Sequence, residues 1–427
     1  MKAICIGVCV LVAFSVLAHG AVEPWSEAVL EIGAAFLFVA WGLLFATGVV
    51  PVLRWNWLLG PLVGLWALAI IQYLLHISAA PFLTGIEILK FSAFDILLFL
   101  TVQAYETLEQ WQGFVWFLLL LGFSVSLFGV LQHFTFNGKL YWFRELRYGG
   151  IPFGPYVNRN HFAGFVELIA PMGLSIILLR AEERDRMPLL AILTLLPIGA
   201  LFLAASRGGI VSFLFELALV VVLVFSRRRS RTQLVAGAIV LLLAGVLVEW
   251  LGVGHSLDRF ASYRQLEVTE GRRTEMTKDS LRIFLDHPIA GTGLGTLVDV
   301  FPRYETLYDG KVVDHPHDDY VEALAETGFI GGAFCAAFLV WLFYQAWTRL
   351  VEARDTLDLA FHIGALAACC GLLIHSFVDF NLHIPSNALL FLLEAVLATS
   401  PMLSRRRTSR IGKHTEQAPL VVVRDPV

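Results

Sequence analysis

Side chains that could bind phosphate or move a proton occur in four short motifs of this 427-residue chain. In the first, Arg207 precedes two glycines, which would let another backbone or a ligand approach closely. In the second, Arg159 stands between Asn158 and Asn160, whose side chains are suited to hydrogen bonds with sugar or phosphate and equally to capping a helix. Arginine forks bind phosphate oxygens in bidentate geometry, so both motifs suit a diphosphate.

The third motif holds the adjacent arginines Arg272 and Arg273, and Arg282 lies about two turns farther on if the helix is continuous through them. These residues suit the same diphosphate. A structural role remains open for each arginine, because Arg207 could reach lipid headgroups and the others could face water.

The fourth motif, Asp314 to Tyr320, contains His315 and His317. We assign His317 as a general base. A helix start disfavours the imidazolium form, which leaves a neutral ring that can accept a proton near pH 7. Two histidines among three aspartates could also bind a divalent metal, but His-x-His with carboxylates is a loose signal, so no metal ligand is predicted.

Two further groups of residues need an interpretation. The glycines of 291–295 could suggest a nucleotide loop, but neither a preceding strand nor a βαβ unit fits the sequence, so a glycine-rich turn is predicted. His375 and the segment 379–383 place ionisable side chains at the outer end of an apolar run, which indicates a site or a pairing partner.

Composition identifies the environment in which these motifs work. The chain is 57% apolar and 15% charged, with a mean hydropathy of +0.72, so it lacks the polar surface of a soluble protein. This excludes a soluble enzyme with a single membrane anchor. Twelve apolar runs predict membrane helices, at 3–19, 28–50, 57–77, 86–104, 114–134, 161–180, 188–205, 208–226, 233–252, 328–348, 359–378 and 387–403. All five cysteines lie in apolar runs, so neither a disulfide framework nor a cysteine zinc site is indicated.

Lysines and arginines concentrate in alternate loops, which places both termini in the cytoplasm by the positive-inside rule. Two longer stretches, 135–160 and 253–327, then lie on the outer face. The predicted organisation is a set of N-terminal membrane helices, a periplasmic segment with short helices, C-terminal membrane helices and a disordered cytoplasmic tail, at 1–252, 253–327, 328–403 and 404–427. Residues 1–20 also fit a cleavable signal peptide.

Two helices are predicted within the 253–327 segment. One runs from about Thr274 to the His287-Pro288 pair, because the residue before a proline is pushed out of helical geometry. The other begins near Asp318 or Asp319, where an acidic side chain can cap free backbone N–H groups, and Gly328 marks a hinge into the next span.

Taken in order, these motifs resemble the O-antigen ligase and polymerase family over about 160–385. The residues that carry the resemblance are Ser206-Arg207-Gly208-Gly209, Gly271-Arg272, Asp286-His287-Pro288-Ile289-Ala290-Gly291-Thr292-Gly293, His317-Asp318-Asp319-Tyr320 and Glu326-Thr327-Gly328-Phe329-Ile330-Gly331. The sequence departs from the family at Met276, where members often have tryptophan, and at Asp318, where they often have asparagine.

The resemblance implies an all-α, polytopic, GT-C-like glycosyltransferase with about twelve transmembrane helices. Such enzymes take a glycan from undecaprenyl diphosphate at the outer face of the bacterial inner membrane. Ligases pass it to the lipid A core, and polymerases pass it to another lipid-linked repeat unit. By the same resemblance Arg207 and Arg272 bind the diphosphate and His317 is catalytic. Arg159 is added from its own motif, and the supporting residues are Arg273, Arg282, His315, Asp318, Asn160 and His375.

The expected reaction is metal-independent transfer with inversion, without a cofactor. Arginines can stabilise the charge that develops on a diphosphate leaving group, and His317 would deprotonate the acceptor hydroxyl. The partners are therefore the lipid-linked donor, the acceptor and membrane lipids, with no nucleic acid. An O-antigen or exopolysaccharide polymerase and a protein O-glycan transferase remain open. A lipid-linked glycan transporter is the alternative from another class, although the paired repeats typical of transporters are not evident.

Overall fold

The computed structural model describes residues 1–50, 52–146, 151–227, 270–308, 310–402 and 422–423. The helices are α1 (Lys2–Leu17), α2 (Pro24–Ala46), α3 (Leu59–Leu74), α4 (Pro81–Ala104), α5 (Leu108–Phe134), α6 (Arg159–Glu167), α7 (Ala170–Leu179), α8 (Met187–Ala204), α9 (Arg207–Arg227), α10 (Glu270–Asp286), α11 (Leu297–Val300), α12 (Asp319–Glu352), α13 (Thr356–His375) and α14 (Pro385–Thr399). Single 3₁₀ turns lie at His19–Ala21, Arg184–Arg186, Phe301–Arg303 and Asn381–His383.

Eleven of the twelve predicted apolar runs coincide with these helices, and the run 233–252 lies outside the described residues. Within the described ranges, seven helical segments are long and apolar enough to cross a membrane, and three apolar helices are shorter. The chain is therefore an all-helical, polytopic membrane protein. Twelve spans and a GT-C-like arrangement stay predictions.

The predicted span 161–180 is interrupted between α6 and α7. Pro171 stands at the start of α7. Proline lacks the backbone N–H and its ring clashes with the carbonyl four residues earlier, here that of Glu167, the last residue of α6. The apolar run predicts one continuous helix here, and the structure instead divides it into α6 and α7.

The central helix is α13, which packs against α7, α9 and α14. Every residue of α14 is buried, whereas α2 exposes Ile32, Phe36 and Leu43, as expected for a face in contact with lipid. Residues 376–384 form the loop that joins α13 to α14. Both ends of this loop are therefore fixed by helices that pack against several other parts of the chain.

Outside the membrane helices, the polar segment has a small core of its own. It consists of Met276, Ile283, Leu297, Val300, Phe301, Val313 and Ala325. Met276, at the position where the family often has tryptophan, is 3% exposed in this core. Of the predicted segment 253–327, residues 253–269 lie outside the described residues.

Both helices predicted in this segment are present. α10 ends at Asp286, directly before His287-Pro288. The side chain of Asp318 caps α12 by accepting from the N–H groups of Tyr320 and Val321, at 3.1 Å and 3.2 Å. Gly328 interrupts α12 with φ 63° and ψ −162°, a conformation that essentially only glycine adopts. The predicted cap and hinge are confirmed.

The 291–295 segment is a glycine-rich turn, as predicted. Gly291, Gly293 and Gly295 all have positive φ. The carboxylate of Glu326 accepts from the N–H groups of Gly295 and Leu297, at 2.8 Å and 2.9 Å. The turn is thus tied to α12 rather than shaped to receive a phosphate.

The structure describes the N-terminal end of the chain and only two residues of the tail after position 402. Buried residues of α1 belong to the main core, and cleavage of residues 1–20 stays a prediction. The predicted disordered tail lies outside the described residues apart from Val422–Val423 (β2), which pairs in parallel with Leu53–Arg54 (β1).

Candidate active site

The 376–384 loop is the point at which the predicted motifs meet. Its Ser376 carbonyl accepts from the N–H of Asp319 at the start of α12, at 3.0 Å. Its Val378 carbonyl accepts from Nη1 of Arg273 on α10, at 3.0 Å. Because α13 and α14 fix both ends of the loop, it can position residues from the fourth and third motifs against each other.

His317 contacts Asp379 in this loop, with 3.3 Å between Nδ1 and Oδ1. His317 adopts a left-handed backbone conformation, φ 59°, one residue before the cap of α12. This turn lets Asp318 point to the helix N–H groups while the imidazole points to the loop. The His317 side chain is 11% exposed, whereas Asp379 is fully buried.

A second imidazole approaches the same carboxylate. Nε2 of His161 on α6 lies 3.7 Å from Oδ1 of Asp379. Burial alone would raise the pKa of Asp379, but the hydrogen bonds and charges of His161 and His317 outweigh it and hold the pKa well below its usual range. The carboxylate is therefore charged near neutral pH and can orient the ring of His317.

Arg207 is the first residue of α9, and its side chain is exposed. The adjacent Gly208 is pressed against the 376–384 loop. A Cβ there would lie 2.8 Å from Nε2 of His375 and 2.9 Å from Cγ2 of Val378. The sequence predicted a close approach at the glycines after Arg207. The structure shows one at Gly208, because a side chain at this position would overlap His375 and Val378.

His375, predicted as a supporting residue, forms a buried pair beneath the loop. Its Nδ1 lies 3.0 Å from Oε1 of Glu167, and both side chains are almost fully buried. This pair is placed to hold the start of α9 and α6 together, since Gly209 also packs against Glu167.

The arginines of α10 diverge. Arg272 is buried and forms an ion pair with Glu305, while Arg273 reaches the 376–384 loop. Nη1 of Arg282 lies 2.9 Å from Oδ1 of Asp279, and the Arg282 side chain is 55% exposed. Arg273 thus contacts the loop through its hydrogen bond to the Val378 carbonyl.

Arg159 and Asn160 lie at the start of α6, which Asn158 caps by accepting from the N–H of Asn160 at 2.9 Å. Arg159 is buried. The next residue, His161, carries the contact to Asp379.

Residues 192–336 match the family model Wzy_C, whose description is O-Antigen ligase. The resemblance to the O-antigen ligase family is confirmed. The matched segment runs from α8 into α12 and covers less than half of the chain. It contains Arg207, Arg272 and His317. A comparison with curated proteins finds no match.

The O-antigen ligase match ends before the 376–384 loop. Asp379 belongs to the 379–383 segment, for which a site or a pairing partner was predicted, whereas no role was predicted for His161 or Glu305. Asp379 had one signal, an ionisable residue at the end of an apolar run. His161 had only its position beside Arg159. Glu305 had no signal, because its pairing with Arg272 depends on how α10 folds onto the segment after it.

Another cluster lies beside the first. Nδ1 of His315 is 2.8 Å from Oε1 of Glu322, and His383 contacts both Asp319 and Glu322. Burial alone would lower the pKa of His383, but the charges of Glu322 and Asp319 raise it to about 10. The ring of Phe380 contacts both groups, as it stacks on His315 at 4.4 Å and meets His317 edge-on at 4.9 Å.

Proposed function

We propose that this protein is an inverting glycosyltransferase that moves a glycan from undecaprenyl diphosphate to an acceptor hydroxyl. The O-antigen ligase family supports ligase-type or polymerase-type transfer in general. The observation that carries the proposal is the convergence of His317, Arg273 and the start of α9 on the 376–384 loop. A base and guanidinium groups beside one another are what this chemistry needs.

In the proposed reaction, the acceptor oxygen attacks the anomeric carbon of the donor sugar from the face opposite the diphosphate. The bond between that carbon and the phosphate oxygen breaks, and its electron pair leaves with undecaprenyl diphosphate. The acceptor proton passes to Nε2 of His317, because Nδ1 donates its hydrogen to Asp379. The product has the opposite anomeric configuration.

Arg207 is the principal diphosphate ligand in this proposal, with Arg273 and Arg159 nearby. Guanidinium groups at fixed positions stabilise the charge of the leaving diphosphate without rearranging during the reaction. Arg272 would have to exchange Glu305 for the diphosphate to act in the same way. We expect transfer to proceed without added Mg²⁺ or Mn²⁺, since no step here requires a metal on the diphosphate.

The site is proposed to face the periplasm of the bacterial inner membrane. The arginine-rich loops support this orientation, because they place the motif-bearing segments on the side opposite the cytoplasm. Lipid A core is the proposed acceptor, and transfer to a second lipid-linked repeat would identify a polymerase instead.

The test uses purified full-length protein in detergent with a defined undecaprenyl diphosphate glycan and each acceptor in turn. His317→Ala and Arg207→Ala should reduce transfer by about 100-fold or more, which is the usual contribution of a positioned acid or base. His287→Ala and Arg303→Ala are matched controls, because both side chains are exposed on the same polar segment. Near-normal transfer by both test variants would exclude the proposed site, and movement of the donor across vesicles without transfer would indicate a transporter.

A further inference from the structure

Three side chains with metal-binding atoms meet beside Phe380, close to His317. They are His315, Glu322 and His383, and their ligand atoms lie within 4.8 Å of one another. We propose that they bind one divalent zinc ion, which joins the start of α12 to the 376–384 loop. Two imidazole nitrogens and one carboxylate are a known zinc ligand set that leaves a fourth position for water. Magnesium and calcium prefer oxygen ligands alone.

Two of the distances within the cluster lie close to those that this ion requires. Ligand bonds of about 2.0–2.1 Å in a tetrahedron place the ligand atoms about 3.3 Å apart. Nε2 of His383 is already 3.4 Å from Oε1 of Glu322. Nδ1 of His315 is 2.8 Å from the same oxygen, so this pair has to open by a few tenths of an ångström.

A neighbouring carboxylate orients one of the ligands. Oδ1 of Asp319 lies 2.7 Å from Nδ1 of His383. This contact holds a proton on Nδ1, so the Nε2 atom that faces Glu322 is the one that would bind a metal in exchange for its own proton. A carboxylate behind a ligating histidine is a regular feature of metal sites and raises the basicity of the ring.

Burial and charge also indicate a cation. The Glu322 side chain is 2% exposed, and its Oε2 has no hydrogen-bond partner among the described residues, which is costly for a buried carboxylate oxygen. Together with Asp319, Glu322 supplies two negative charges, and one divalent ion would balance them on displacing the additional imidazole protons into solvent. The side chains of His315 and His383 are 26% and 24% exposed, which gives an ion a path from solvent.

The ion would affect catalysis only by holding His317 and Asp379 in position. His315 is two residues from His317, and His383 is four residues from Asp379, so one ion would fix the spacing of the two segments that form the proposed base. This catalytic consequence rests on the proposed function, whereas zinc binding does not. The chemistry at the diphosphate remains with the arginines.

The test measures zinc bound to the purified full-length protein by elemental analysis, then titrates chelator-treated protein with Zn²⁺. We expect about one zinc per chain. His383→Asn should weaken zinc binding at least tenfold, and Asp319→Asn, which keeps all three ligands, should weaken it about 10- to 100-fold. His287→Asn should bind zinc as the wild type does.

Thermal unfolding in detergent shows whether each variant is folded. If His383→Asn does not fold, the zinc affinity of Asp319→Asn still decides the test. A folded wild type that binds no zinc, or a folded Asp319→Asn with unchanged affinity, would overturn the proposal and leave a hydrogen-bonded ionic cluster. Zinc binding without glycan transfer would refute the proposed function alone, and transfer without zinc binding would refute the metal site alone.

Discussion

Replacement of Asp379 by asparagine tests how the proposed base is positioned. Asparagine keeps the shape of the buried side chain but removes its negative charge. In the wild type the charged carboxylate accepts a hydrogen bond from Nδ1 of His317 at 3.3 Å. A hydrogen bond to a charged group contributes about 1.5–3 kcal/mol. Because about 1.4 kcal/mol corresponds to a factor of ten in rate, kcat should fall about 10- to 150-fold. The asparagine oxygen can still accept a hydrogen bond, so the fold should be retained.

The assay is the initial rate of glycan transfer by purified protein over a range of donor concentrations. Asp379 is fully buried and is not placed to contact the donor, so KM for the donor should change little while kcat falls. Asp299→Asn is the matched control, since its side chain is exposed on the same polar segment.

A double variant gives the sharper result. If Asp379 acts through His317, adding Asp379→Asn to His317→Ala should cause little further loss, because residues that act as a unit are not additive. An unchanged kcat in Asp379→Asn would refute the reasoning. So would a double variant whose loss equals the product of the two single losses.

Three further predictions concern the arginines and the hinge. Arg272→Ala should destabilise the protein by about 3 kcal/mol, because it leaves Glu305 without its buried partner. The double variant Arg272→Ala/Glu305→Ala should recover thermal stability but not glycan transfer. Recovery of both stability and transfer would show that Arg272 has a structural role only. Arg282→Ala should keep transfer within about threefold of wild type, because an exposed ion pair contributes at most about 1 kcal/mol, and a tenfold loss would contradict this. Gly328→Ala should lower stability by about 2 kcal/mol or more in thermal unfolding, since φ is 63° and a Cβ would lie 2.4 Å from a backbone oxygen. Gly60→Ala, with open space around it, should not, and equal effects would refute the hinge argument.

Much of the helical architecture could be predicted from composition and local signals. Apolar runs located the helices because lipid leaves the backbone few other ways to satisfy its hydrogen bonds. The cap at Asp318 and the hinge at Gly328 were predictable because both depend on a few consecutive residues. The break before Pro171 was not predicted, because the apolar run continues through it. Hydropathy values describe side-chain polarity and contain no information on the backbone N–H that proline lacks.

The site was harder to predict, because its parts are distant in the chain. Arg207 and His317 stand in recognisable motifs, yet the loop that they approach begins about sixty residues beyond His317. Neighbours such as Arg272 and Arg273 look equivalent in sequence and diverge in the fold, because successive helical residues project about 100° apart. Pairings such as Arg272 with Glu305 follow from tertiary packing and leave no local signal.

The most direct test of the central claim is the rate of glycan transfer by His317→Ala at saturating donor, with donor binding measured on the same sample. We predict that the rate of glycan transfer falls about 100-fold or more while the donor still binds through the arginines. Transfer near the wild-type rate would contradict it.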